Sequence, residues 1–240
     1  MWFFDKKVKI EDSGFFHSYT ETHCHLLPGV DDGVSTMADS VSILERLALL
    51  GVHEVWLTPH IMEDFPNTKA SLLVRFEELQ QNISQNPKLR YLTLHLAAEY
   101  MLDAQFDQIL ESGELLLHRD NQLLVETSYF NAPYNFDQLL EKVQRKGYTP
   151  LLAHPERYVY MEMRDYEQLK AKNIRFQLNL PSLLGRYGET AQKKAKKMLD
   201  KGWYDTIGTD LHRASQLSYI LDAKVSKKSL AEARLLIDNL

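Results

Sequence analysis

A parallel α/β barrel is the fold predicted by this 240-residue sequence, on three observations. Short β-prone runs alternate with helical stretches seven times along the chain. The ends of those runs fall about 31 residues apart on average, the length a βαβ crossover needs. Imidazole and carboxylate side chains stand at almost all of these ends, and a barrel gathers the C-terminal ends of its strands on one face. An open doubly wound sheet would scatter them along a crevice. Its glycine-rich phosphate fingerprints, GxGxxG and GxxxxGKS/T, are absent.

The elements follow in order. SYTETHCH (18–25) is the first strand; Ile43, Leu47 and Leu50 share one face of the helix behind it, which Gly51 closes. VHEVWLTPH (52–60) is the second strand, trailed by a polar helix over 68–85. LTLHLAAE (92–99) precedes a helix near 103–112. QLLVET (122–127) precedes a helix whose Phe136, Leu139, Leu140 and Val143 recur at i, i+3, i+4 and i+7 before Gly147. TPLLAH (149–154), IRFQLN (174–179) and YDTIGTD (204–210) complete the set, each with a helical pattern behind it. No Pro/Gly/Ser-rich linker interrupts the series, so residues 20–240 read as one domain after a motif-free N-terminal extension over 1–19.

Composition excludes several classes. Hydrophobic residues at 44% and charged residues at 25% are those of an ordinary globular protein. No uninterrupted apolar run exceeds four residues, which argues against a transmembrane helix. The opening MWFFDKKVKIEDSG lacks the order of a secretory signal, and one cysteine cannot form an internal disulfide; a cytoplasmic setting is expected. A net charge of −5 gives no general attraction to nucleic acid or anionic lipid, and neither partner is expected.

The strand ends carry the chemistry. His23 and His25 are two apart on a strand and so point to one face, with Cys24 on the other. His60 ends the second strand, Glu99 the third, Glu126 the fourth and His154 the fifth; Asp210 and His212 end the seventh, and Asp32 lies in the PGVDDG loop after the first. Five of the nine histidines fall at these ends, which favours a shared metal site over isolated structural roles. His17, His53, His95 and His118 lie elsewhere and read as structural. Imidazole and carboxylate ligands without a second thiolate suit Zn, Mn or Fe. A catalytic zinc takes three protein ligands, so nine ligands require two or three ions sharing a bridging carboxylate.

These residues also carry a resemblance. HCHLLPGVDDG (23–33), TPH (58–60), AAE (97–99), AHPERY (153–158) and GTDLH (208–212) are similar to the motif set of the polymerase-and-histidinol-phosphatase (PHP) superfamily. The longer forms resemble its bacterial tyrosine-protein phosphatase branch, associated with capsular and exopolysaccharide operons. The match runs from about residue 20 to the end. It implies a distorted (β/α)7 barrel of TIM-like type with three divalent ions, manganese foremost and iron or zinc as alternatives. His23, His25, Glu99 and Asp210 would hold the first; Glu99, Glu126 and His154 the second; Asp32, His60 and His212 the third. The family pattern begins with Asp where this chain has Glu21, which shares a strand face with His23 and His25 and is expected to orient one of their ring N–H groups.

The activity implied is metal-dependent hydrolysis of phosphotyrosine on a protein, the substrate being an autophosphorylating bacterial tyrosine kinase of polysaccharide export. Arg157 within AHPERY would clamp the phosphate, with Tyr129, Phe130 and Tyr158 as aromatic walls, Tyr187 as another, and Arg186 and Arg213 as further phosphate contacts. Cysteine-based phosphatase chemistry is excluded, because C-x5-R would place Arg where Val30 stands. Lys193, Lys194, Lys196, Lys197 and Lys201 read as a solvated helix face. The competing readings are a small-molecule phosphatase of the histidinol-phosphate kind, a nuclease-like phosphodiesterase, and a non-catalytic regulatory binding module on the same barrel.

Overall fold

The computed structural model describes residues 6–238. The chain opens with β1 (Lys7–Lys9), then β2 (Thr20–Cys24) and helix α1 (Met37–Leu49). β3 (Glu54–Leu57), β4 (His60–Ile61) and α2 (Lys69–Ser84) follow. Next come β5 (Thr93–Leu96), β6 (Glu99–Met101), α3 (Phe106–Ser112), β7 (Gln122–Glu126) and α4 (Phe136–Arg145). β8 (Thr149–Ala153), α5 (Met163–Ala171), β9 (Arg175–Asn179), α6 (Leu180–Leu184) and α7 (Gly188–Asp200) continue the alternation. β10 (Thr206–Gly208), α8 (Ala214–Asp222), β11 (Lys224–Ser226) and α9 (Lys227–Asp238) end it.

Local signals explain the boundaries. Thr68 caps α2 by accepting from the Ser71 N–H while the Ser71 hydroxyl reaches back, a reciprocal pair that fixes the helix start where the polar pattern begins. Leu139, Leu140 and Val143 of α4 are buried, as their spacing requires. β2 and β7 are buried at every position, the mark of parallel strands covered on both faces.

Two expected strands are each divided. The second yields β3 and β4 with Thr58 and Pro59 between; the third yields β5 and β6 across Ala97 and Ala98. Pro59 has no N–H to give a ladder, so pairing lapses where the chain passes from one sheet to the other. The result is a three-stranded parallel sheet, β2-β3-β5, and a six-stranded parallel sheet, β10-β9-β8-β7-β6-β4. Backbone bonds tie them together. Ala97 N–H donates to Leu57 O at 2.9 Å and Glu99 N–H to Pro59 O at 3.1 Å. On the other side Asp210 N–H donates to His23 O and His25 N–H to Leu211 O, at 2.8 and 2.9 Å. The architecture is a mixed α/β fold around a curled parallel sheet, with the strand C-termini on one face.

The segment expected as an N-terminal extension packs against the rest of the chain. β1 pairs antiparallel with β11, and Ile10, Phe15, Phe16 and Tyr19 are buried in the main apolar core with Leu44, Leu57, Phe106 and Phe176. The alternating KVK of β1 is too short to announce a strand in sequence. Residues 1–5 of that expected extension lie outside the described residues. Among the described residues no helix is long and apolar enough to cross a membrane.

Candidate metal centre

The nine strand-end side chains converge. His23 and His25 leave β2 on the same face with their Nε2 atoms 3.2 Å apart. Each ring is held from behind: His23 Nδ1–H donates to Gln177 Oε1 at 2.6 Å and His25 Nδ1–H to Asp31 Oδ2 at 2.8 Å. Both partners can only accept, so the proton sits on Nδ1 and the Nε2 lone pairs face inward. Gly208 permits the close approach of β10 to β2, since a Cβ there would lie 2.5 Å from the His23 Cβ.

Glu99 is the hub. Its Oε2 lies 3.2 Å from His23 Nε2, 3.4 Å from His25 Nε2 and 3.3 Å from His60 Nδ1, and its Oε1 lies 3.0 Å from His154 Nε2. Glu126 faces His60 Nδ1 at 3.1 Å and His154 Nε2 at 3.7 Å. Asp210 Oδ1 is 3.4 Å from both His25 and His212, while its Oδ2 accepts from Arg157 Nη1 at 2.8 Å and Asn179 Nδ2 at 3.0 Å. At the rim, Asp32 Oδ1 stands 3.5 Å from His60 Nε2 and 3.4 Å from His212 Nε2. Exposure rises outward: Glu99 and His25 are fully buried, His60 and His212 partly so, and Asp32 is exposed.

Three sets of ligand atoms come close enough to surround an ion: His25, Asp32, His60 and His212; His23, His25 and Asp210; and His60, Glu99 and Glu126. Their partition differs from the one the resemblance implies. His25 and His60 each stand in two sets, and His154 touches Glu99 and Glu126 from outside all three.

The buried acids and imidazoles perturb one another strongly. Burial alone would lower the His23 imidazole, but Glu99 and Asp210 outweigh it and lift it to about 8. Burial opposes the charge of Asp210 as well, yet His25, His23 and Arg157 hold its carboxyl well below the usual range. Buried carboxylates in this number need compensating positive charge. His60 Nδ1, Glu99 Oε2 and His154 Nδ1 are nevertheless buried without a hydrogen-bond partner. Unsatisfied buried donors and acceptors of this kind are rare and point to an unfilled role. His154 and Asp210 also hold left-handed backbone, φ 36° and 52°, strain of the kind that gathers at functional sites.

Several expected residues stand elsewhere or act differently. The Glu21 carboxylate does not meet a histidine ring; it accepts from the backbone N–H groups of His23 and Thr209 and from the Thr209 hydroxyl. Burial lifts it to about 7. Tyr158 is fully buried, its hydroxyl donating to Ala153 O, so it underlies the site and cannot wall a substrate. Tyr129 is occupied by Arg157, whose guanidinium carbon lies 4.2 Å from its ring centre. Phe130 is exposed on the adjoining loop. Arg186 lies over Tyr219, and Arg213 precedes α8 in the open. Lys194 leaves the solvated face to donate to the carbonyls of Tyr158 and Met161. Cys24 is buried, and burial pushes its thiol up, away from reactivity.

Sequence reasoning missed Asp31, Gln177 and Asn179. Asp31 is the first of the Asp doublet in PGVDDG and also accepts from the His60 N–H. Burial would raise its carboxyl, but His25 overrides this and holds it at about 2. Gln177 and Asn179 alternate with Phe176 and Leu178 on β9. Two polar residues at i, i+2 in an apolar strand were the available signal.

The chain is similar to known proteins over most of its length. Residues 19–229 match the family described as capsular polysaccharide synthesis, CpsB/CapC. The tyrosine-protein phosphatase YwqE of Bacillus subtilis is 25% identical over 207 residues, covering 83% of this chain and 79% of that protein. The tyrosine-protein phosphatase CpsB of Streptococcus pneumoniae is 24% identical over 242 residues, covering 91% and 95%. Among solved structures, one from the work on YwqE and CpsB, described there as unique metal-dependent tyrosine phosphatases, superposes with a TM-score of 0.75 at 24% identity, over 92% of this chain and 94% of its own. The chain is a member of the CpsB/CapC capsular polysaccharide synthesis family.

Proposed function

We propose that this protein hydrolyses phosphotyrosine on a protein substrate, using divalent metal ions held by His23, His25, Asp32, His60, Glu99, Glu126, His154, Asp210 and His212. The observation that carries this reading is the convergence of four carboxylates and five imidazoles at the strand ends, with buried ligand atoms left unpaired and Arg157 at the margin. We read the two parallel sheets as parts of a distorted (β/α)7 barrel of the PHP type, spanning residues 20–240 as one domain. These nine residues would hold three divalent ions, manganese foremost.

The donor set suits the ions. Oxygen and imidazole ligands without thiolate favour Mn, Fe or Zn, and the Nδ1 protons of His23 and His25 are already fixed so that both Nε2 atoms can coordinate. Ions bound there supply Lewis acidity and lower the pKa of water enough for attack at neutral pH. The chain's own residues do the rest. Arg157 keeps further N–H donors beside the one given to Asp210, and these suit the equatorial oxygens of a phosphoryl group. Asn179 and Arg157 together fix the outer oxygen of Asp210, leaving Oδ1 toward the histidines. A tyrosyl leaving group, with a pKa near ~10, needs less proton donation than an alkoxide.

The relatives' names favour a protein substrate over a small phosphate ester. We take the partner to be an autophosphorylated bacterial tyrosine kinase that regulates capsular polysaccharide synthesis and export. Such a partner would place the protein in the cytoplasm. The test is an assay of the purified, manganese-supplemented protein on a phosphotyrosine peptide, histidinol phosphate and a dinucleotide. Rapid hydrolysis of the peptide alone is the expected result; hydrolysis of histidinol phosphate alone would overturn it.

A further inference from the structure

Arg157 is held in an unusual setting. Its guanidinium carbon lies 4.2 Å from the ring centre of Tyr129 and 4.0 Å from that of Tyr187. The two tyrosines arrive from different parts of the chain, one on the loop after β7 and the other in the turn between α6 and α7. Tyr187 is fixed in that turn by its neighbours. Gly185 and Gly188 both take left-handed backbone, φ 92° and 89°, and Arg186 N–H donates to Pro181 O at 3.0 Å. The Arg157 loop is tied down as well, since Lys194 Nζ donates to Tyr158 O at 2.7 Å and Val159 N–H to Tyr129 O at 2.9 Å.

An arginine side chain turns about several bonds, and a single ion pair to Asp210 leaves most of that freedom. An aromatic ring attracts a cation placed over its face. Two rings at this distance limit the motions available to the guanidinium, while its N–H groups remain to meet an anion.

We propose that Tyr187, with Tyr129, is a positioning residue: the pair clamps Arg157 so that its N–H edge is presented to the substrate phosphate. This rests on the functional reading above and goes beyond it in two ways. It gives Tyr187 a role that acts through Arg157, and it moves both tyrosines from walls around the substrate ring to supports behind the phosphate contact. The ring face does the work, so Phe serves in place of Tyr187 and Leu does not.

The experiment uses the full chain loaded with manganese and compares wild type, Tyr187→Phe, Tyr187→Leu, Arg157→Ala and the double variant Tyr187→Leu/Arg157→Ala. Two quantities are read: kcat/KM on a phosphotyrosine peptide, and the affinity for inorganic phosphate by calorimetry, which remains measurable where turnover is lost. Tyr187→Leu is expected to lower both by about tenfold, equivalent to about 1.4 kcal/mol. Tyr187→Phe should stay within about twofold of wild type, a difference well under 1 kcal/mol. In the Arg157→Ala background the Leu substitution should change phosphate affinity no further. An equal, additive loss in that background would overturn the clamp, as would a Phe variant as weak as the Leu one. Should the wild type hydrolyse no phosphotyrosine peptide, the functional reading fails, while the phosphate affinities still decide the clamp.

Discussion

The two ends of the curled sheet hold the same kinds of residue and use them in opposite ways. At the strand C-termini, His23, His25, His60, His154 and His212 meet Glu99, Glu126, Asp32 and Asp210. Toward the other end, around Glu54 at the start of β3, Trp56 is stacked between His95 and His118, with ring centres 4.4 and 4.2 Å away. Glu54 serves this cluster: it accepts from Trp56 Nε1 at 3.0 Å, pairs with Arg119, and lies 3.2 Å from His95 Nε2. The first end gathers several buried acids around imidazoles, with ligand atoms of His60, Glu99 and His154 unpaired; at the second Glu54 is shared among donors, and His118 Nδ1 is buried without a hydrogen-bond partner. Burial and the nearby Arg119 push the His118 imidazole down to about 3, whereas His23 is lifted to about 8. Residue type does not make a site. The balance of charge and the direction of the lone pairs do.

The contrast can be broken by substitution at either end. The largest effects are expected at the C-terminal end: His25→Ala and Arg157→Ala should each lower phosphotyrosine hydrolysis by about a thousandfold, with the circular dichroism spectrum unchanged. Wild-type turnover in either would remove the residue from the site. Gln177→Leu should weaken metal affinity or activity by roughly 10- to 100-fold, because His23 loses the acceptor that fixes its proton. Titration of stripped protein with manganese measures this, and wild-type affinity would leave Gln177 a packing residue only.

At the other end stability should move and chemistry should not. Glu54→Gln is expected to cost about 1–3 kcal/mol in urea unfolding, because Arg119 loses its charged acceptor, with kcat/KM unaltered. A fall in kcat/KM beyond the loss of folded protein would mean that the ends are coupled. The smallest effect is a pH dependence. His118 stays neutral in the fold while an unfolded histidine protonates below about 6.5, so the unfolded state takes up the proton first. The stability tied to His118 is therefore complete above that pH and falls as the pH drops toward about 3. His118→Gln should lose less stability than wild type between pH 7 and pH 5, as approximate limits for denaturant midpoints. Equal losses would show that other groups govern the acid limb.

The fold and much of the candidate site were legible because both follow short-range rules. Strand ends spaced by one crossover length put His60, Glu99, Glu126, His154 and Asp210 on one face before any contact is known. What stayed hidden depends on tertiary approach. That His23 leans on Gln177, 154 residues away, cannot be read from either neighbourhood. The break in the third strand was hidden because Ala97–Ala98 continue the apolar pattern while the pairing changes sheet; in the second, Pro59 was the available signal. Tyr158 and Tyr129 illustrate the same limit: the first ends AHPERY and the second follows Glu126, but burial of the first and the contact of the second with Arg157 belong to the folded chain.

The claim that the buried carboxylate and imidazole cluster works through metal ions is tested most directly by stripping and refilling it. The protein is treated with a chelator, freed of it, and assayed on a phosphotyrosine peptide as manganese is added, with bound metal measured by elemental analysis at each step. Hydrolysis should vanish on stripping and return in proportion to the metal bound. Undiminished hydrolysis by protein shown to be free of metal would contradict it.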